Sequence, residues 1–505
     1  MALKKAATPS KSATVKAQLK HPVVDADGHW LELQPIFMDY LADFAGAKMA
    51  DRYRAAMQKS IGYNWYKTPA KDRDRARMRR QAWWSQPSNT EDRTAAMVPA
   101  LLHSRLDSYG IDVSLVDPTL GFIVLATVND PEVKAAVIRA YNVMAADMFR
   151  PYADRLIPAA CISMDEPREA MAQLEHARSL GLKLMMMNGT VRRPLDIDGD
   201  WQPDPAKRRF WFDGFGLESA YDYDPVWKKC MELKVAVTVH TGTMGWPDRT
   251  SVDNFVFNHL GHFAQSHHLT ARSLFMGGVT ERFPKLNFGF LEGGTGWACN
   301  LYADIFGHWA KRNRKSMERH LKPTNFNRVK ARRLMEEFTK GNKYFERNMD
   351  EILARNLDPV EPNLSQEEIA ARDPKTDDFA HVKIKGPKDI ARLFARNFYF
   401  GCEADDPMTM MAFDERAGLR VKAVLGSDIS HFDVIDATEV LEEAWEMVEH
   451  GLITEKNFRE FTFTNVVELH GGMDPDFFKG TVVEAAAKKE LVLAKKRDFT
   501  NVKGH

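Results

Sequence analysis

Acidic residues and a histidine alternate in one short apolar segment near the start of the chain. The segment HPVVDADGHW places Asp25, Asp27 and His29 at every second position, so that all three face one side if it forms a strand. Two carboxylates and an imidazole are costly to bury on one face unless a partner satisfies them. A divalent cation is such a partner, because carboxylate oxygen and imidazole nitrogen are common metal ligands. Asp25 lies deeper in the segment and is expected to support a ligand rather than bind the ion.

Further candidates follow other apolar segments. His240 ends VAVTVH, Glu292 follows LNFGFL, and Asp428 follows VKAVLGS, with His431 three residues later. Taken singly, each has a plainer interpretation as a hydrogen-bonded imidazole, a turn residue or a helix cap. Their joint occurrence at the ends of apolar segments favours one metal site. The predicted ligands are Asp27, His29, His240 and Asp428.

This set of residues indicates acid–base chemistry at a metal ion. A divalent ion can lower the pKa of bound water from about 15.7 to about 7. Asp428 is predicted to accept the proton that this water loses, and His431 to bind a substrate oxygen or hold Asp428. For Glu292 three roles stay open: weak ligation, acid–base catalysis, or orientation of a ligand. The predicted catalytic residues are therefore Asp428, His431 and Glu292.

Four residues are candidates for substrate binding. Arg192 and Arg193 come shortly after LKLMMMNG, the fourth apolar segment of the chain. An arginine there could bind a substrate carboxylate in a bidentate manner or form an ordinary ion pair. Trp246 could form an aromatic wall or belong to the core. Asn188, at the end of the fourth segment, completes the predicted set.

The elements that position these residues form a regular series. Eight apolar segments alternate with helix-like segments, and most are continuously apolar, as strands buried on both faces of a parallel sheet are. Eight alternations predict an α/β fold, a (β/α)₈ TIM barrel with helical insertions on its C-terminal face; an open doubly wound sheet is the alternative. In such a barrel, functional groups lie at the C-terminal ends of the strands.

The organisation around the barrel is also predicted. Residues 1–20 are basic and predicted to be a disordered tail, residues 21–475 the barrel, and residues 476–505 a C-terminal extension. Two long insertions, at about 48–89 and 310–395, follow strand ends. They are expected on the active-site side as a lid or substrate wall, or else as oligomer contacts or solvated decorations.

Composition restricts the function classes. The 505 residues contain 70 Lys and Arg and 70 Asp and Glu, so bulk charge gives no argument for a nucleic-acid partner. No apolar run reaches the roughly 18 residues that suggest a membrane span. The four cysteines are far apart, as in a reducing compartment. We expect a cytoplasmic homo-oligomer that acts on a small molecule.

The joint pattern resembles the amidohydrolase superfamily, in particular the branch that includes aminocarboxymuconate-semialdehyde decarboxylase. The resemblance implies a TIM barrel and a catalytic divalent ion, with zinc expected first and manganese or another divalent ion as alternatives. The matching motifs are DADGHWLEL with Asp27, His29 and Glu32, VAVTVHTGT with His240, FLEGGTGW with Glu292, LGSDISH with Asp428 and His431, and FTFTNVVELHGG with Asn465.

Departures from the family pattern guide the expected reaction. Asp27 stands where many members have histidine, and Asn188 stands where a carboxylated lysine would support a second metal, so one ion is expected. Decarboxylases of the branch generally use a histidine at the end of the sixth strand to protonate carbon, and this chain has Glu292 there. The preferred interpretation is therefore a hydrolase acting on an acyl C–N, C–O or activated C–C bond of a carboxylate-bearing or aromatic catabolic intermediate. A non-oxidative decarboxylase and a catalytically inactive binding barrel are the alternatives.

Overall fold

The computed structural model describes residues 8–60, 65–80, 88–195, 210–244, 246–322, 325–354, 377–418, 420–494, 497 and 499. The chain divides into two compact units. The first comprises Met1–Tyr302 and Gly386–His505, and the second comprises Ala303–Lys385. All residues discussed below as site residues belong to the first unit.

The first unit is built on eight barrel strands and a two-stranded hairpin. The barrel strands are β1 (Val24–Trp30), β2 (Val113–Pro118), β3 (Leu156–Ile162), β4 (Leu184–Met187), β7 (Val237–Val239), β8 (Phe288–Phe290), β9 (Phe398–Cys402) and β10 (Lys422–Leu425). The hairpin strands are β5 (Val191–Pro194) and β6 (Phe210–Asp213). The barrel strands form one parallel sheet in the order β1-β2-β3-β4-β7-β8-β9-β10, and β5 and β6 pair in an antiparallel manner. Each of the eight predicted segments contains one barrel strand, so the predicted TIM barrel is confirmed.

Backbone hydrogen bonds join the two ends of the strand series. Asp428 N donates to Asp27 O and His29 N donates to Ile429 O, both at 2.9 Å. These bonds connect β1 with the residues that follow β10. They also fix Asp27 and Asp428, two of the predicted ligands, against each other.

The barrel strands are buried on both faces, which explains their composition. Every residue of β4, LMMM, is buried, and so is every residue of β9, FYFGC. Parallel strands covered by helices on one face and filled by side chains on the other have no solvent-facing side. The polar residues of the barrel therefore concentrate where the strands end.

Helices surround the barrel in the first unit. Their bounds are Lys11–Gln18, Gln34–Ala45, Ala47–Ser60, Ala70–Ala76, Thr90–Ala95, Pro99–Tyr109, Thr119–Thr127, Pro131–Phe149, Pro167–Ser179, Asp224–Leu233, Phe255–His259, His262–Met276, Val279–Arg282, Pro387–Phe394, Val440–Glu449, Glu455–Arg459, Asn465–Gly471 and Glu484–Ala494. A further helix, Gly296–Arg312, spans the boundary of the two units. Within the described part of the chain, no helix combines the length and apolar character needed to cross a bilayer.

The predicted disordered tail is wrong for its described part. Lys11–Gln18 is a helix that begins at a Ser10 cap, whose side chain accepts a hydrogen bond from Ala13 N. Ser12 is buried, and its hydroxyl oxygen accepts a hydrogen bond from Leu441 N at 2.9 Å. The segment is ordered because its small residues fit against the helix Val440–Glu449, a tertiary contact that basic composition does not reveal.

The predicted insertions and extension contain regular structure. The first insertion includes the helices Ala47–Ser60 and Ala70–Ala76, and residues 61–64 and 81–87 lie outside the described residues. The second overlaps the second compact unit, which contains the helices Arg314–His320, Arg328–Phe338 and Lys343–Ala354. In the extension, Glu490 of the C-terminal helix is buried and accepts a hydrogen bond from Thr464 at 2.6 Å. A lid role for either insertion stays a prediction.

Candidate metal centre

Side chains from four barrel strands meet at the C-terminal end of the barrel. β1 carries Asp27 and His29, His240 directly follows β7, Glu292 comes two residues after β8, and Asp428 three residues after β10. All five are buried. We call this set, Asp27, His29, His240, Glu292 and Asp428, the ligand cluster.

The distances within the ligand cluster are those of groups that share one small space. His29 Nε2 lies 3.3 Å from both Asp27 Oδ1 and Asp428 Oδ1. His240 Nε2 lies 3.1 Å from Glu292 Oε2 and 3.6 Å from Asp27 Oδ1. Ligand atoms of Asp27, His29, His240 and Glu292 all lie within 4.8 Å of one another. The geometry therefore brings the predicted ligands together and adds Glu292 to them.

Hydrogen bonding in the protein does not satisfy these groups. Among the described residues, the buried atoms Asp27 Oδ1, His29 Nε2, His240 Nε2, Glu292 Oε2 and Asp428 Oδ2 have no hydrogen-bond partner. An unpartnered buried polar group typically costs about 1–3 kcal/mol, and more if it is charged. A divalent cation would satisfy imidazole nitrogens and carboxylate oxygens at once. The residues present therefore fit a divalent metal ion.

The electrostatics lead to the same assignment. Burial lowers the pKa of His29 and His240 well below the usual value, so both imidazoles stay neutral and can offer a lone pair. Burial also raises the pKa of Asp27 and Glu292, and the neighbouring carboxylates raise both further. A bound cation reverses that shift, because it favours the ionised carboxylates.

The backbone is unusual at two of these positions. Glu292 and Asp428 have φ values of 55° and 50°, in the left-handed region that residues other than glycine seldom adopt. Each such residue typically costs about 1–3 kcal/mol, and such residues concentrate at functional sites. The left-handed residues lie in the loops just after β8 and β10, where each carboxylate is at the barrel end.

His431 lies beside Asp428 as predicted. Its Nδ1 is 2.6 Å from Asp428 Oδ1, its Nε2 is 3.0 Å from Thr119 Oγ1, and its ring stacks on His29 with centroids 3.7 Å apart. Burial is the largest single influence and lowers the pKa of His431. The charge and hydrogen bond of Asp428, with the charges of Asp433 and Glu32, together raise the pKa overall. His431 is therefore the imidazole beside the ligand cluster whose surroundings favour the protonated form.

Asp25 supports the ligand cluster from below. Its carboxylate accepts hydrogen bonds from Ser114 Oγ at 2.6 Å, Ser427 N at 2.8 Å and Asp27 N at 3.1 Å. With these donors, Asp25 ties together β1, β2 and the loop after β10. Gly28 is required beside it, because a Cβ there would lie 2.3 Å from Ser114 Oγ.

Glu32 and Asn465 of the family motifs have structural partners. The two carboxylate oxygens of Glu32 accept hydrogen bonds from Leu120 N and Gly121 N at the start of the helix Thr119–Thr127. Burial raises the pKa of Glu32 to about 7. Asn465 Nδ2 donates to Ala423 O of β10 at 2.7 Å.

Two of the predicted substrate-binding residues are committed to the protein itself. Arg193 donates from Nε to Asp213 Oδ2, from Nη1 to Asp165 O and from Nη2 to Tyr223 Oη, at 3.1, 2.6 and 2.7 Å. Its guanidinium is therefore engaged on all three nitrogens. The prediction that Arg193 holds a substrate carboxylate is not supported, because the hairpin β5–β6 brings Asp213 back to it.

Asn188 is engaged in the same way. Its Oδ1 accepts a hydrogen bond from Met164 N at 3.1 Å, and its Nδ2 donates to Leu125 O at 3.4 Å. The amide thus connects the loop after β4 with the loop after β3 and with the helix Thr119–Thr127. A role for Asn188 in substrate binding is not supported, because its two polar atoms already have backbone partners.

Arg192 lies on the hairpin β5–β6, and Trp246 packs against the same hairpin. Arg192 pairs across the hairpin with Phe212, and its guanidinium lies 4.6 Å from the ring centroid of Phe210. Trp246 stacks on Phe212 with ring centroids 3.9 Å apart. Their contribution to substrate binding stays a prediction.

Asp117 is a site residue that the sequence analysis missed. It lies on β2 directly opposite His29 of β1, it is fully buried, and its carboxyl group interacts with that of Asp27. Burial, with the Asp25 charge, raises the pKa of Asp117 to about 8. Its position in LVDP at a strand end is the signal that could have found it, but Asp-Pro is also typical of a helix start.

The ligand cluster opens onto a cavity of about 460 Å³. Glu292 and Asp428 line it, together with Glu403 after β9 and Asp433 beyond β10. Burial and the Asp428 charge raise the pKa of Glu403 to about 8 and that of Asp433 to about 6. The sequence analysis did not predict these two acidic residues as part of the site.

A (β/α)₈ barrel with imidazole and carboxylate ligands converging at its C-terminal end defines the class of metal-dependent barrel enzymes. Residues 24–318 match the family model described as Amidohydrolase, which covers more than half of the chain. The chain therefore belongs to the amidohydrolase family, and the predicted resemblance is confirmed.

The chain is similar to several solved structures at low sequence identity. An amidohydrolase from Mycobacterium avium subsp. paratuberculosis has a TM-score of 0.52 and 16% identity, with 90% of this chain and 100% of that chain covered. A dihydroxybenzoic acid decarboxylase from a Polaromonas species, with manganese and 2-nitroresorcinol, has a TM-score of 0.46 and 15% identity over 89% and 97% of the two chains. A 5-carboxyvanillate decarboxylase from Novosphingobium aromaticivorans, with manganese, has a TM-score of 0.48 and 12% identity over 90% and 98%. No curated protein matches the sequence.

Proposed function

We propose that this protein is a metal-dependent hydrolase that cleaves an acyl C–N, C–O or activated C–C bond of a small molecule. The observation that carries the proposal is the Asp428 carboxylate. It is buried, it lies both in the ligand cluster and on the cavity wall, and its Oδ1 lies 2.6 Å from Nδ1 of His431. A carboxylate in that position can take a proton from a water molecule next to the ion.

The ligand cluster would hold the ion through Asp27, His29, His240 and Asp428. We propose a single ion, zinc first, with manganese as the alternative because mixed nitrogen and oxygen ligands accept several divalent metals. When bound, the ion lowers the pKa of a coordinated water and polarises the carbonyl group of the substrate. Asp25 keeps Asp27 in place through the Asp27 backbone amide.

His431 would complete the proton transfer. It lies 2.6 Å from Asp428, and Thr119 lies at its other nitrogen. In its protonated form it can donate its proton to the leaving group and then recover the proton that Asp428 took from water. The other imidazoles near the cavity are poor donors, since burial lowers the pKa of His259 to about 4 and that of His262 to about 2. His431 is thus the proposed general acid.

Glu292 favours hydrolysis over decarboxylation. It occupies the end of β8, the sixth barrel strand, and its Oε2 lies 3.1 Å from His240 Nε2. Beside a divalent cation this carboxylate would be ionised, because a neighbouring positive charge lowers its pKa. An ionised carboxylate cannot protonate carbon, but it can accept a hydrogen bond from a nucleophilic water.

Turnover in ¹⁸O-labelled water tests the reaction. A screen of amides, lactones, vinylogous diketones and aromatic carboxylates provides the substrate. We expect one ¹⁸O in a product carboxylate and no CO₂. Stoichiometric CO₂, with deuterium entering the product carbon in D₂O, would instead identify a decarboxylase.

Elemental analysis tests the metal. Protein purified without chelator should contain about one equivalent of a divalent ion, as the size of the ligand cluster suggests. Removal of the ion should abolish turnover, and zinc and manganese should be compared for its restoration. Full activity in protein shown to be metal-free would contradict the proposal.

A further inference from the structure

The cavity at the metal centre has an acidic wall. Its volume of about 460 Å³ suits a small molecule, since ligand pockets typically measure about 300–1,000 Å³. Besides Glu292 and Asp428, five acidic residues line it, and none of its described lining residues is Lys or Arg. The five are Glu403, Asp405, Asp406, Asp433 and Glu443.

Two of these acidic residues lack a Lys or Arg partner among the described residues. Neither Glu403 nor Asp433 forms such an ion pair, although the charge of His431 acts on Asp433, and the charges that act most strongly on Glu403 are other carboxylates. Asp406 differs, because its Oδ1 caps a 3₁₀ helix by accepting a hydrogen bond from Met408 N. Glu403 and Asp433 are therefore available to a ligand.

A divalent ion would not neutralise the cavity. Asp27, Glu292 and Asp428 bring three carboxylates to the ligand cluster, and Glu292 and Asp428 are buried on the cavity wall. An ion of charge +2 and a protonated His431 offset these three charges, and the five acidic residues beyond the cluster leave the cavity negative. A substrate carboxylate would therefore be repelled, and a cation attracted.

The mouth of the cavity is apolar in part. Leu260 and Ile435 line the cavity, and they are 69% and 82% exposed. Exposed apolar side chains beside a polar pocket can bind the apolar part of a ligand. The cavity thus combines an acidic interior with apolar contacts at its edge.

We propose that the substrate carries a protonated amino group, bound by Glu403 and Asp433, and an apolar body that contacts Leu260 and Ile435. This inference rests on the proposed hydrolase function, and it replaces the carboxylate-bearing substrate that the sequence suggested. An ammonium group suits the site because it donates three hydrogen bonds, and bonds between charged groups are about twice as strong as neutral ones.

Binding of three matched probes tests the proposal without turnover. The probes are 2-phenylethylamine, 2-phenylethanol and 3-phenylpropanoate, which share an aromatic body and differ in charge. Titration calorimetry of the metal-loaded protein at about pH 9 and low salt keeps Glu403 ionised and the amine protonated. The amine should bind at least about tenfold more tightly than the alcohol, as one charge-assisted hydrogen bond allows. The propanoate should bind most weakly.

Variants then locate the binding of the amine. Glu403→Gln and Asp433→Asn should each weaken amine binding by about tenfold, which is the loss of about 1.4 kcal/mol, and leave alcohol binding and metal content unchanged. Glu446→Gln is the matched control, because Glu446 is an exposed acidic residue on the helix that also carries Glu443. It should not change the preference for the amine.

Two results would overturn the proposal. One is equal binding of the three probes. The other is a second equivalent of divalent metal that is lost in Asp433→Asn, since His259, Glu292 and Asp433 offer ligand atoms within 4.8 Å of one another and the carboxylates would then serve a metal. With either result, the proposed hydrolase function still holds if ¹⁸O enters the product. A preference for the amine without ¹⁸O incorporation would contradict the hydrolase function but support the amine site.

Discussion

Two clusters of buried polar side chains in the barrel unit differ in how their hydrogen bonds are satisfied. In the cluster around the hairpin β5–β6, Asp213 accepts hydrogen bonds from Arg193 Nε, Ser219 Oγ, Ala220 N and Phe215 N. In the ligand cluster, imidazole nitrogens of His29 and His240 and carboxylate oxygens of Asp27 and Glu292 have no hydrogen-bond partner among the described residues. Both clusters were candidates for function in the sequence, and only the second has unused binding capacity.

The difference in hydrogen bonding distinguishes a cluster that stabilises the fold from a cluster that can bind a ligand. Buried polar groups in native proteins are nearly always hydrogen-bonded, so a saturated cluster needs no ligand to explain it. A cluster of unpartnered groups needs a further partner, and perturbed pKa values at a cavity indicate the same. We therefore expect changes in the ligand cluster to affect turnover and metal binding, and changes around Arg193 to affect the free energy of unfolding.

The largest effect is expected for Asp428→Asn. The substitution removes a ligand charge and the proposed proton acceptor together, so turnover should fall to the far end of the roughly 10²–10⁴-fold range for lost acid–base catalysis. Metal content should also fall, as elemental analysis would show. Near-native turnover would remove Asp428 from the mechanism.

His431→Ala should separate proton transfer from metal binding. His431 lies beside Asp428 but is not one of the proposed ligands, so turnover should fall by about 10²–10⁴-fold while most of the metal remains. The ratio of metal content to activity distinguishes this variant from Asp428→Asn. A native rate in His431→Ala would reduce His431 to a structural residue.

Arg193→Ala should affect stability instead. It leaves Asp213 as an unpaired buried charge, so the free energy of unfolding should fall by about 3–5 kcal/mol in a denaturant titration, with metal content retained in the folded protein. Arg192→Ala on the same strand is the control. Since Arg192 is exposed, its change should stay within about 0.5 kcal/mol. Equal effects of the two variants would contradict the structural role of Arg193.

The sequence predicts which residues lie at strand ends better than it predicts the hydrogen-bond partners of their side chains. The eight strands and the convergence of Asp27, His29, His240 and Asp428 follow from apolar segments that end in polar residues, because parallel strands in a barrel bring their ends together. Arg193 was misinterpreted because its partner Asp213 is 20 residues away, across a hairpin that no local pattern announces.

Asp117 shows the opposite failure. Its strand was predicted, but its side chain was not selected, because Asp-Pro at a strand end is also an ordinary helix start. Only the register of β1 against β2, which pairs His29 with Asp117, places it beside the ligand cluster. Local spacing along one strand carries no information about that register.

The smallest effect concerns His470, an imidazole with an unpartnered nitrogen that lies outside the ligand cluster. His470 is buried, its Nε2 has no hydrogen-bond partner among the described residues, and its ring stacks on Phe477 with centroids 4.6 Å apart. Burial, together with the Lys183 charge, lowers the pKa of His470 from 6.5 to about 3. His470 therefore allows a test of whether an unpartnered nitrogen outside the ligand cluster affects stability alone.

Below pH 6.5 the unfolded chain binds a proton at His470 that the folded protein excludes, so this residue destabilises the fold increasingly as the pH falls from 6.5 towards 3. His470→Phe keeps an aromatic ring against Phe477 and removes the titration. Relative to the unsubstituted protein, the variant should therefore gain about 1.4 kcal/mol in the free energy of unfolding between pH 7.5 and pH 5.5. Urea titrations of both chelator-treated proteins at the two pH values measure this difference, because every other titrating group is shared and cancels. Parallel pH dependences would mean that folded His470 accepts a proton near its usual pKa, and the comparison of the two clusters would then need a polar partner for His470 as well.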